Sequence, residues 1–287
     1  MAELGFVGLG NMGRPMVSRL LDAGHVVHVH SRSPGPVDEV VAVGAASAGS
    51  SAAVARRAEI VLTALPTPAD VDQVYGELLS ESRDGQLFVE HSTIRPSQAQ
   101  RWATRFAERG ARYLDAPVSG GPTGAAAGTL TVMVGGDKAA FDAAEPIFRA
   151  FGSVVTWCGP GGSGEKVKLV NQLLVAIHAL ASAEAAAFSV AMGADLASTL
   201  DVVGRSWGAS TILARNGPRY ISGDFAGAAP IRILLKDIGL ILDEAAELGI
   251  ELPLGRLVQQ RLIEARDAGL GDEDIAALIK LWQAEKA

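Results

Sequence analysis

The sequence predicts an α/β domain followed by an all-helical domain, and three observations support this fold class. Short apolar stretches alternate with helical patterns from residue 4 to residue 157, as expected for a mainly parallel sheet. A stretch of 28 residues without Pro or Gly, 165–192, follows a glycine-rich segment at 159–164. Beyond Gly193 the apolar residues keep only helical spacing. We therefore expect an α/β domain over 1–161 and, over 162–287, a long interdomain helix with an all-helical domain.

Composition and charge narrow the class of protein. The chain has 287 residues, 48% of them hydrophobic and 20% charged, which is typical of a soluble globular protein with two domains. The net charge of −7 and the lack of a Lys- and Arg-rich block argue against nucleic-acid binding. The single cysteine, Cys158, excludes an internal disulfide and a cysteine-rich metal site. The histidines lack metal-ligand spacing, so we expect no metal.

The sequence also argues against export and membrane insertion. The first residues lack the charged and apolar regions of a signal peptide, and residues 4–7 have the character of a strand. The long apolar stretch carries Lys168, Asn171, Gln172 and His178, which makes it a poor membrane span. The expected location is the cytoplasm, without a membrane partner.

The first part of the α/β domain combines a strand, a glycine-rich turn and a helix. Residues 4–7 are apolar, residues 16–21 have helical spacing, and residues 26–30 form a second strand pattern. The turn between the first strand and the helix matches G-x-G-x-x-G, which in this context indicates a Rossmann-type dinucleotide-binding domain. A tight turn without a ligand is the alternative. The predicted cofactor-binding residues of the turn are Gly8, Leu9, Gly10, Asn11, Met12 and Gly13.

Each glycine of this turn has a separate expected role. The first allows the tight turn, the second lets a pyrophosphate approach the backbone, and the third lets the helix pack closely on the strand. The N-terminus of the helix then faces the anion, which its backbone dipoles favour.

The end of the second strand indicates which dinucleotide binds. An NAD site usually has Asp or Glu there, which accepts a hydrogen bond from the ribose 2′-hydroxyl. This chain instead has Ser31 and Arg32, followed by a second serine. An arginine flanked by hydroxyls can hold a 2′-phosphate through charge-assisted hydrogen bonds. We therefore predict NADP(H) over NAD(H), and the alternative is a solvated loop arginine without a cofactor role.

The alternation of strand and helix continues through the rest of this domain. Ligands of open α/β sheets bind beyond the carboxyl ends of the strands, which places Leu65, Pro66, Ser92 and Thr93 beside the dinucleotide. Thr93 also suits an ordinary turn or helix cap. Strands are predicted at 60–65, 87–90, 112–115, 129–134 and 154–157, and helices at 50–58, 69–79, 97–109 and, capped by Asp137, up to about residue 151.

Two further segments suit a small anionic substrate. Ser119, Gly120 and Gly121 offer a hydroxyl and unobstructed backbone N–H groups, which suit a carboxylate. A bare loop is the alternative for this segment. At the start of the long helix, Lys168, Asn171 and Gln172 have i, i+3 and i+4 spacing, so an amine and two carboxamides share one face. A solvated helical turn explains that spacing equally well.

The helical domain contains one further polar pair. Its helical patterns lie at 197–203, 231–248, 254–268 and 272–280. Within the second pattern, Lys236 and Asp237 stand together among apolar neighbours. An ordinary surface ion pair accounts for them as well, so spacing alone assigns them no role.

Taken together, these motifs resemble the β-hydroxyacid dehydrogenase family, which includes 3-hydroxyisobutyrate dehydrogenase and tartronate semialdehyde reductase. The resemblance covers almost the whole chain and depends on the order and spacing of the motifs rather than on any one of them. The motifs are Gly8 to Gly13 with Pro15-Met16, Asp115 to Gly121, Gly128 to Thr131, Gly162-Ser163-Gly164 with Lys168 and Asn171-Gln172, and Lys236-Asp237.

The resemblance implies roles for several of these residues. Lys168 looks like the catalytic lysine of the family, a general acid in carbonyl reduction and a base in the reverse direction. The segment 119–121 resembles its carboxylate-holding segment, and Thr93 and Lys236 match positions that touch the cofactor near the nicotinamide. The family often has Asn-Asn after the lysine. This chain has Asn171-Gln172 there, a variant similar to that of tartronate semialdehyde reductase. Family members form dimers or tetramers, so a homodimer or homotetramer is expected.

The function expected from these observations is the NADP-dependent interconversion of a small 3-hydroxyacid and its semialdehyde or keto acid. One alternative is an imine reductase-like enzyme, and another is a non-catalytic NADP-binding protein. Relatives of both kinds typically lack the lysine, so Lys168 argues against both alternatives. The exact substrate stays open on the sequence alone.

Overall fold

The computed structural model describes residues 2–282. The chain divides into two compact units, of which the first ends at Lys168 and the second begins at Leu169. The long helix therefore contributes its first turns to one unit and its remainder to the other.

A largely parallel sheet forms the centre of the first unit. Its strand order is β3-β2-β1-β4-β5-β6-β8-β7, and β9 also pairs with β8, in parallel. The strands from β3 to β6 are parallel, whereas β6 and β7 run antiparallel to β8. The strands are β1 (Glu3–Val7), β2 (Val26–His30), β3 (Ala46–Ser47), β4 (Ile60–Thr63), β5 (Leu87–Glu90), β6 (Arg112–Asp115), β7 (Val118–Ser119), β8 (Leu130–Gly136) and β9 (Gly152–Gly159).

Helices cover both faces of this sheet and enclose two apolar clusters. One cluster includes Phe6, Met16 and Phe148, and the other includes Tyr75 and Trp102. Asp137 caps its helix as predicted, since its carboxylate accepts a hydrogen bond from the Ala140 N–H. The helices are α1 (Gly13–Asp22), α2 (Pro34–Val41), α3 (Ser51–Arg57), α4 (Pro68–Ser80), α5 (Pro96–Ala107), α6 (Gly121–Ala127), α7 (Lys138–Phe148) and the first turns of α8 (Ser163–Ala191).

The second unit is helical, which confirms the predicted fold class. Its core joins alanines of α8 to larger side chains such as Ile231, Ile238 and Leu262. Arg215 and the fully buried Asp274 form a two-point ion pair there, with N···O distances of 2.7 and 2.6 Å. The helices after α8 are α9 (Leu196–Val203), α10 (Thr211–Ser222), α11 (Ile231–Glu247), α12 (Pro253–Ala265), a π-helical turn (Arg266–Leu270) and a 3₁₀-helix (Ile275–Trp282).

Within the part of the chain that the structure describes, α8 is the one helix long and apolar enough to cross a membrane by length and composition. Three of its alanines, Ala176, Ala179 and Ala183, are buried in the core of the second unit. Small side chains at spacings of three and four let neighbouring helices approach closely. We therefore interpret α8 as a core helix rather than a membrane span.

Candidate functional site

Each of the three glycines in the glycine-rich turn has a different structural role. Gly8 has a φ of +99°, and its N–H donates to the carbonyl oxygen of His30 at 3.0 Å. A Cβ at Gly8 would overlap the carbonyl oxygen of Ala64, and a Cβ at Gly13 would overlap that of Gly8. A Cβ at Gly10 would meet nothing within 4 Å. The chain therefore needs the outer two glycines to form the turn, while the middle one leaves its backbone open.

This open backbone fits a dinucleotide. Gly10 and Asn11 are exposed, Leu9 is buried beneath them, and Met12 directly precedes α1. The turn follows the carboxyl end of β1, where ligands of parallel sheets bind. The exposed N–H groups and the start of the helix can face a pyrophosphate.

The residues predicted to select NADP lie on the neighbouring strand end. The Ser31 hydroxyl accepts from the Leu9 N–H at 3.5 Å, which links it to the glycine-rich turn. The Arg32 side chain is 85% exposed and lies 3.4 Å from a carboxylate oxygen of Asp70. An exposed ion pair of this kind contributes little to stability, so the guanidinium can exchange partners readily.

The ends of β4 and β5 are joined to each other. The Ser92 hydroxyl accepts from the Leu65 N–H at 2.6 Å, and the Ser92 N–H donates to Glu90 at 2.7 Å. Pro66 is exposed and Thr93 is half-buried at these same strand ends. Ser92 thus fixes the two loops that carry the other residues predicted to lie beside the dinucleotide.

Asp115 holds the start of α8 against the sheet. Its carboxylate accepts from the Gly162 N–H at 2.7 Å and from the Glu165 N–H at 3.0 Å. These are amide groups of the first turn of a helix, which lack partners inside the helix and favour a negative charge. Asp115 therefore sets where the following turn of α8, which carries Lys168, lies on the sheet.

Lys168 is buried and contacts the segment predicted to hold a carboxylate. Its ammonium donates to the carbonyl oxygen of Val118 at 2.8 Å, directly before Ser119. Ser119 ends β7, Gly120 has a φ of +128°, and Gly121 begins the short helix α6. The structure thus brings the amine and the Ser-Gly-Gly segment together within the first unit.

His91 is a buried residue of this region that the sequence analysis did not assign to the site. Its Nδ1 lies 2.6 Å from the carbonyl oxygen of Ala116. Burial lowers the pKa of His91 to about 4, so the ring is neutral at neutral pH and Nδ1–H is the donor. His91 and Lys168 therefore hold carbonyls at both ends of the segment 116–118.

A second polar chain lies in the helical unit. The Asn171 amide donates to the Gln172 side-chain oxygen at 3.0 Å, and the Gln172 amide donates to Asp237 at 2.5 Å. Lys236 lies 2.9 Å from the other carboxylate oxygen of Asp237, whose side chain is only 3% exposed. The alternative of a surface ion pair is therefore wrong, because Asp237 is buried and contacts both Gln172 and Lys236. The apolar residues on either side of Asp237 in the sequence were the feature that could have indicated its burial.

Both parts of the chain match models of known protein families. Residues 3–159 match the family model described as the NAD binding domain of 6-phosphogluconate dehydrogenase. Residues 162–282 match the model described as NAD-binding of NADP-dependent 3-hydroxyisobutyrate dehydrogenase.

Individual proteins are similar over almost their whole length. The 2-hydroxy-3-oxopropionate reductase of Escherichia coli is 36% identical, over 97% of this chain and 96% of that protein. The NAD-dependent L-serine dehydrogenase of Pseudomonas aeruginosa is 35% identical, over 98% of each. The solved structure of "Psf3 in complex with NADP+ and 2-OPP" has a TM-score of 0.92 and 28% identity, over 97% of this chain and 99% of that one. The chain therefore belongs to the β-hydroxyacid dehydrogenase family of the 3-hydroxyisobutyrate dehydrogenase type.

Proposed function

We propose that this protein is an NADP-dependent oxidoreductase that interconverts a small 3-hydroxyacid and the corresponding semialdehyde or keto acid. The observation that carries the proposal is the buried Lys168 ammonium, held 2.8 Å from the Val118 carbonyl beside Ser119. A carboxylate bound at 119–121 would present its neighbouring carbonyl to that amine. Both named substrates of the relatives above, L-serine and 2-hydroxy-3-oxopropionate, combine a carboxylate with an oxygen on the third carbon.

In this proposal the chain binds, orients and protonates the substrate. Lys168 gives a proton to the carbonyl oxygen during reduction and takes it back during oxidation. Ser119, Gly120 and Gly121 hold the carboxylate, and Asn171 and Gln172 contact the substrate through uncharged amides. The nicotinamide, when bound, supplies or accepts the hydride.

The residues proposed to hold the dinucleotide come from the strand ends, the glycine-rich turn and helix α11. Arg32 and Ser31 hold the 2′-phosphate, and the exposed Arg32 guanidinium supports this assignment. Thr93 and Lys236 contact the nicotinamide end. The other proposed contacts are Gly8, Leu9, Gly10, Asn11, Met12, Gly13, Leu65 and Pro66.

The test of this function is a comparison of NADPH and NADH oxidation with a panel of carbonyl acids. The panel is glyoxylate, succinic semialdehyde, tartronate semialdehyde and methylmalonate semialdehyde. We expect turnover with tartronate semialdehyde or methylmalonate semialdehyde, whose reduction gives a 3-hydroxyacid. Glyoxylate and succinic semialdehyde, which give a 2-hydroxyacid and a 4-hydroxyacid, test how strictly that position is selected, and the best substrate specifies the enzyme. Turnover with a cyclic imine and with none of the four acids would contradict the proposal.

Arg32→Ala tests the preference for NADPH in the same assay. We expect kcat/KM for NADPH to fall about 10- to 100-fold, the value of a lost charge-assisted hydrogen bond, with NADH unaffected. Arg109→Ala, which removes another exposed arginine of the same unit, should change neither value. An equal loss with both cofactors would mean that Arg32 does not recognise the 2′-phosphate.

We also propose that the protein is a cytoplasmic homodimer or homotetramer that contacts neither nucleic acid nor membrane. Large apolar side chains are exposed at the end of α8 and on α9, among them Phe188, Met192 and Val202. Met192 directly follows α8, and its N–H donates to the Phe188 carbonyl oxygen at 3.0 Å, so it continues the last turn of the helix. Exposed apolar patches of this kind are typical of subunit interfaces.

Phe188→Glu tests the association. We expect the variant to sediment as a smaller species than the wild type, because a charge would be buried in the interface. Val43→Glu, at an exposed apolar position of the first unit, is the matched control. A wild-type protein that sediments as a monomer would refute the assembly.

A further inference from the structure

Three carboxyl groups are buried around the start of α8. Glu90, Asp115 and Glu165 are all inaccessible to solvent, at the ends of β5 and β6 and in the first turn of the helix. Glu165 accepts from the Ile94 N–H at 3.3 Å through one oxygen. Its other oxygen, like one oxygen of Glu90, has no hydrogen-bond partner among residues 2–282. Buried acids this close together affect each other's charge.

This cluster does not resemble a metal site. Within the described residues no group of three or more His, Cys, Asp or Glu side chains could hold a metal ion. The charge must therefore be relieved by protons or by a cationic side chain. Asp115 already accepts two amide hydrogen bonds from the helix start, which stabilise its charged form.

Glu165 is the member of the cluster nearest to Lys168 along the chain. The two residues are three apart on α8, so their side chains share one helix face, and both are buried. Burial raises the pKa of Glu165 well above its usual value, the charges of Asp115 and Glu90 raise it further, and Lys168 opposes them. Burial raises the pKa of the Tyr113 hydroxyl on β6 well above its usual value, and the charges of the three carboxyls raise it further.

We propose that the Glu165 carboxyl sets the protonation of the Lys168 amine and so acts as a positioning residue for proton transfer. The inference rests on the acid–base role proposed above for Lys168. An ionised Glu165 stabilises the ammonium, because two buried charges about one helical turn apart are poorly screened. A protonated Glu165 is neutral and no longer stabilises the Lys168 ammonium. Two groups coupled in this way titrate as a pair rather than singly.

The first test measures the amine directly, without substrate or cofactor. The chain has six lysines, so ¹⁵N-labelled lysine should give few NMR signals, and Lys168 is assigned by its loss in Lys168→Arg. In Glu165→Gln we expect the Lys168 titration midpoint to fall by at least about one pH unit, the usual size of an opposite-charge effect. Glutamine keeps an oxygen to accept from Ile94, so the fold should be retained. An unchanged midpoint would overturn the inference.

The matched control is Glu184→Gln, the same change at an exposed position of the same helix. Glu184 is 16 residues beyond Lys168, or about 24 Å along the helix. This distance exceeds the Debye length at physiological ionic strength, about 8 Å, so salt screens the interaction between the two charges. In Glu184→Gln the titration midpoint of Lys168 should equal that of the wild type. An equal fall in both variants would show that the effect is not specific to Glu165 and would also overturn the inference.

The second test is the pH profile of carbonyl reduction. In Glu165→Gln the basic limb should move to lower pH by the same amount as the NMR midpoint, because the ammonium is lost earlier. If the midpoint moves and the profile does not, Lys168 is not the proton donor and the proposed function fails. If the midpoint stays and the wild type still reduces its substrate, only the role of Glu165 fails.

Discussion

Replacing Lys168 by alanine is expected to lower kcat for carbonyl reduction by about 10²–10⁴-fold while NADPH binding is retained. This is the usual contribution of a positioned acid or base to catalysis. Lys168 is not among the residues proposed to hold the dinucleotide, which lie at the glycine-rich turn, at the strand ends and on α11, so the cofactor should bind normally. Turnover is measured with the best acid of the panel, and NADPH binding by its fluorescence.

Two controls separate catalysis from folding. Lys166→Ala removes an exposed lysine from the same helix turn and should leave kcat within about twofold. Lys168→Met keeps most of the side-chain volume but loses the donor to Val118, so it should be as inactive as the alanine variant. Turnover of Lys168→Ala at the wild-type rate would exclude the general-acid role.

The second large effect is expected at the glycine-rich turn, where the same substitution at two glycines should have different consequences. One should lower the stability of the protein, and the other should weaken NADPH binding. Gly13→Ala should destabilise the protein by about 3 kcal/mol or more, because the new methyl group overlaps the Gly8 carbonyl oxygen. Gly10→Ala should leave the free energy of unfolding within about 0.5 kcal/mol, since nothing lies within 4 Å of the added Cβ. It should nevertheless weaken NADPH binding at least about tenfold, by blocking the approach of the pyrophosphate.

Chemical denaturation and NADPH titration of both variants make the comparison. Gly76→Ala is the control, at an exposed position of α4 with open space around the added Cβ. It should leave the affinity for NADPH unchanged and should not lower the free energy of unfolding. If Gly10→Ala bound NADPH as tightly as the wild type, the pyrophosphate would have to lie elsewhere.

The sequence was most informative where local pattern and tertiary structure agree. The strands 26–30, 87–90 and 112–115 have the predicted bounds, because apolar and β-branched runs there end in loop residues. Helices α2, α6 and α10 were missed, since each contains Gly and Pro, residues that usually break helices. In α2 and α6 the proline lies in the first turn, where it is tolerated.

His91 was missed and Asp115 and Asp237 were named only within motifs, because their roles depend on contacts between distant segments. His91, Asp115 and Asp237 act on residues 25, 47 and 65 positions away, respectively, which no local spacing reveals. The Lys168 position on a helix face followed from spacing, whereas its contact with Val118 needed the fold of β7. Local sequence therefore indicates which residue types could act, and the sheet decides which of them meet.

The hydrogen bond from Lys168 to Val118 has a consequence for substrate affinity. A free lysine side chain samples many rotamers, and restricting it costs up to about 2 kcal/mol of conformational entropy. In this protein folding has already restricted the chain, with the ammonium 2.8 Å from the backbone carbonyl. A substrate therefore meets an amine that needs no further ordering, and its binding free energy is available for recognition of the acid itself.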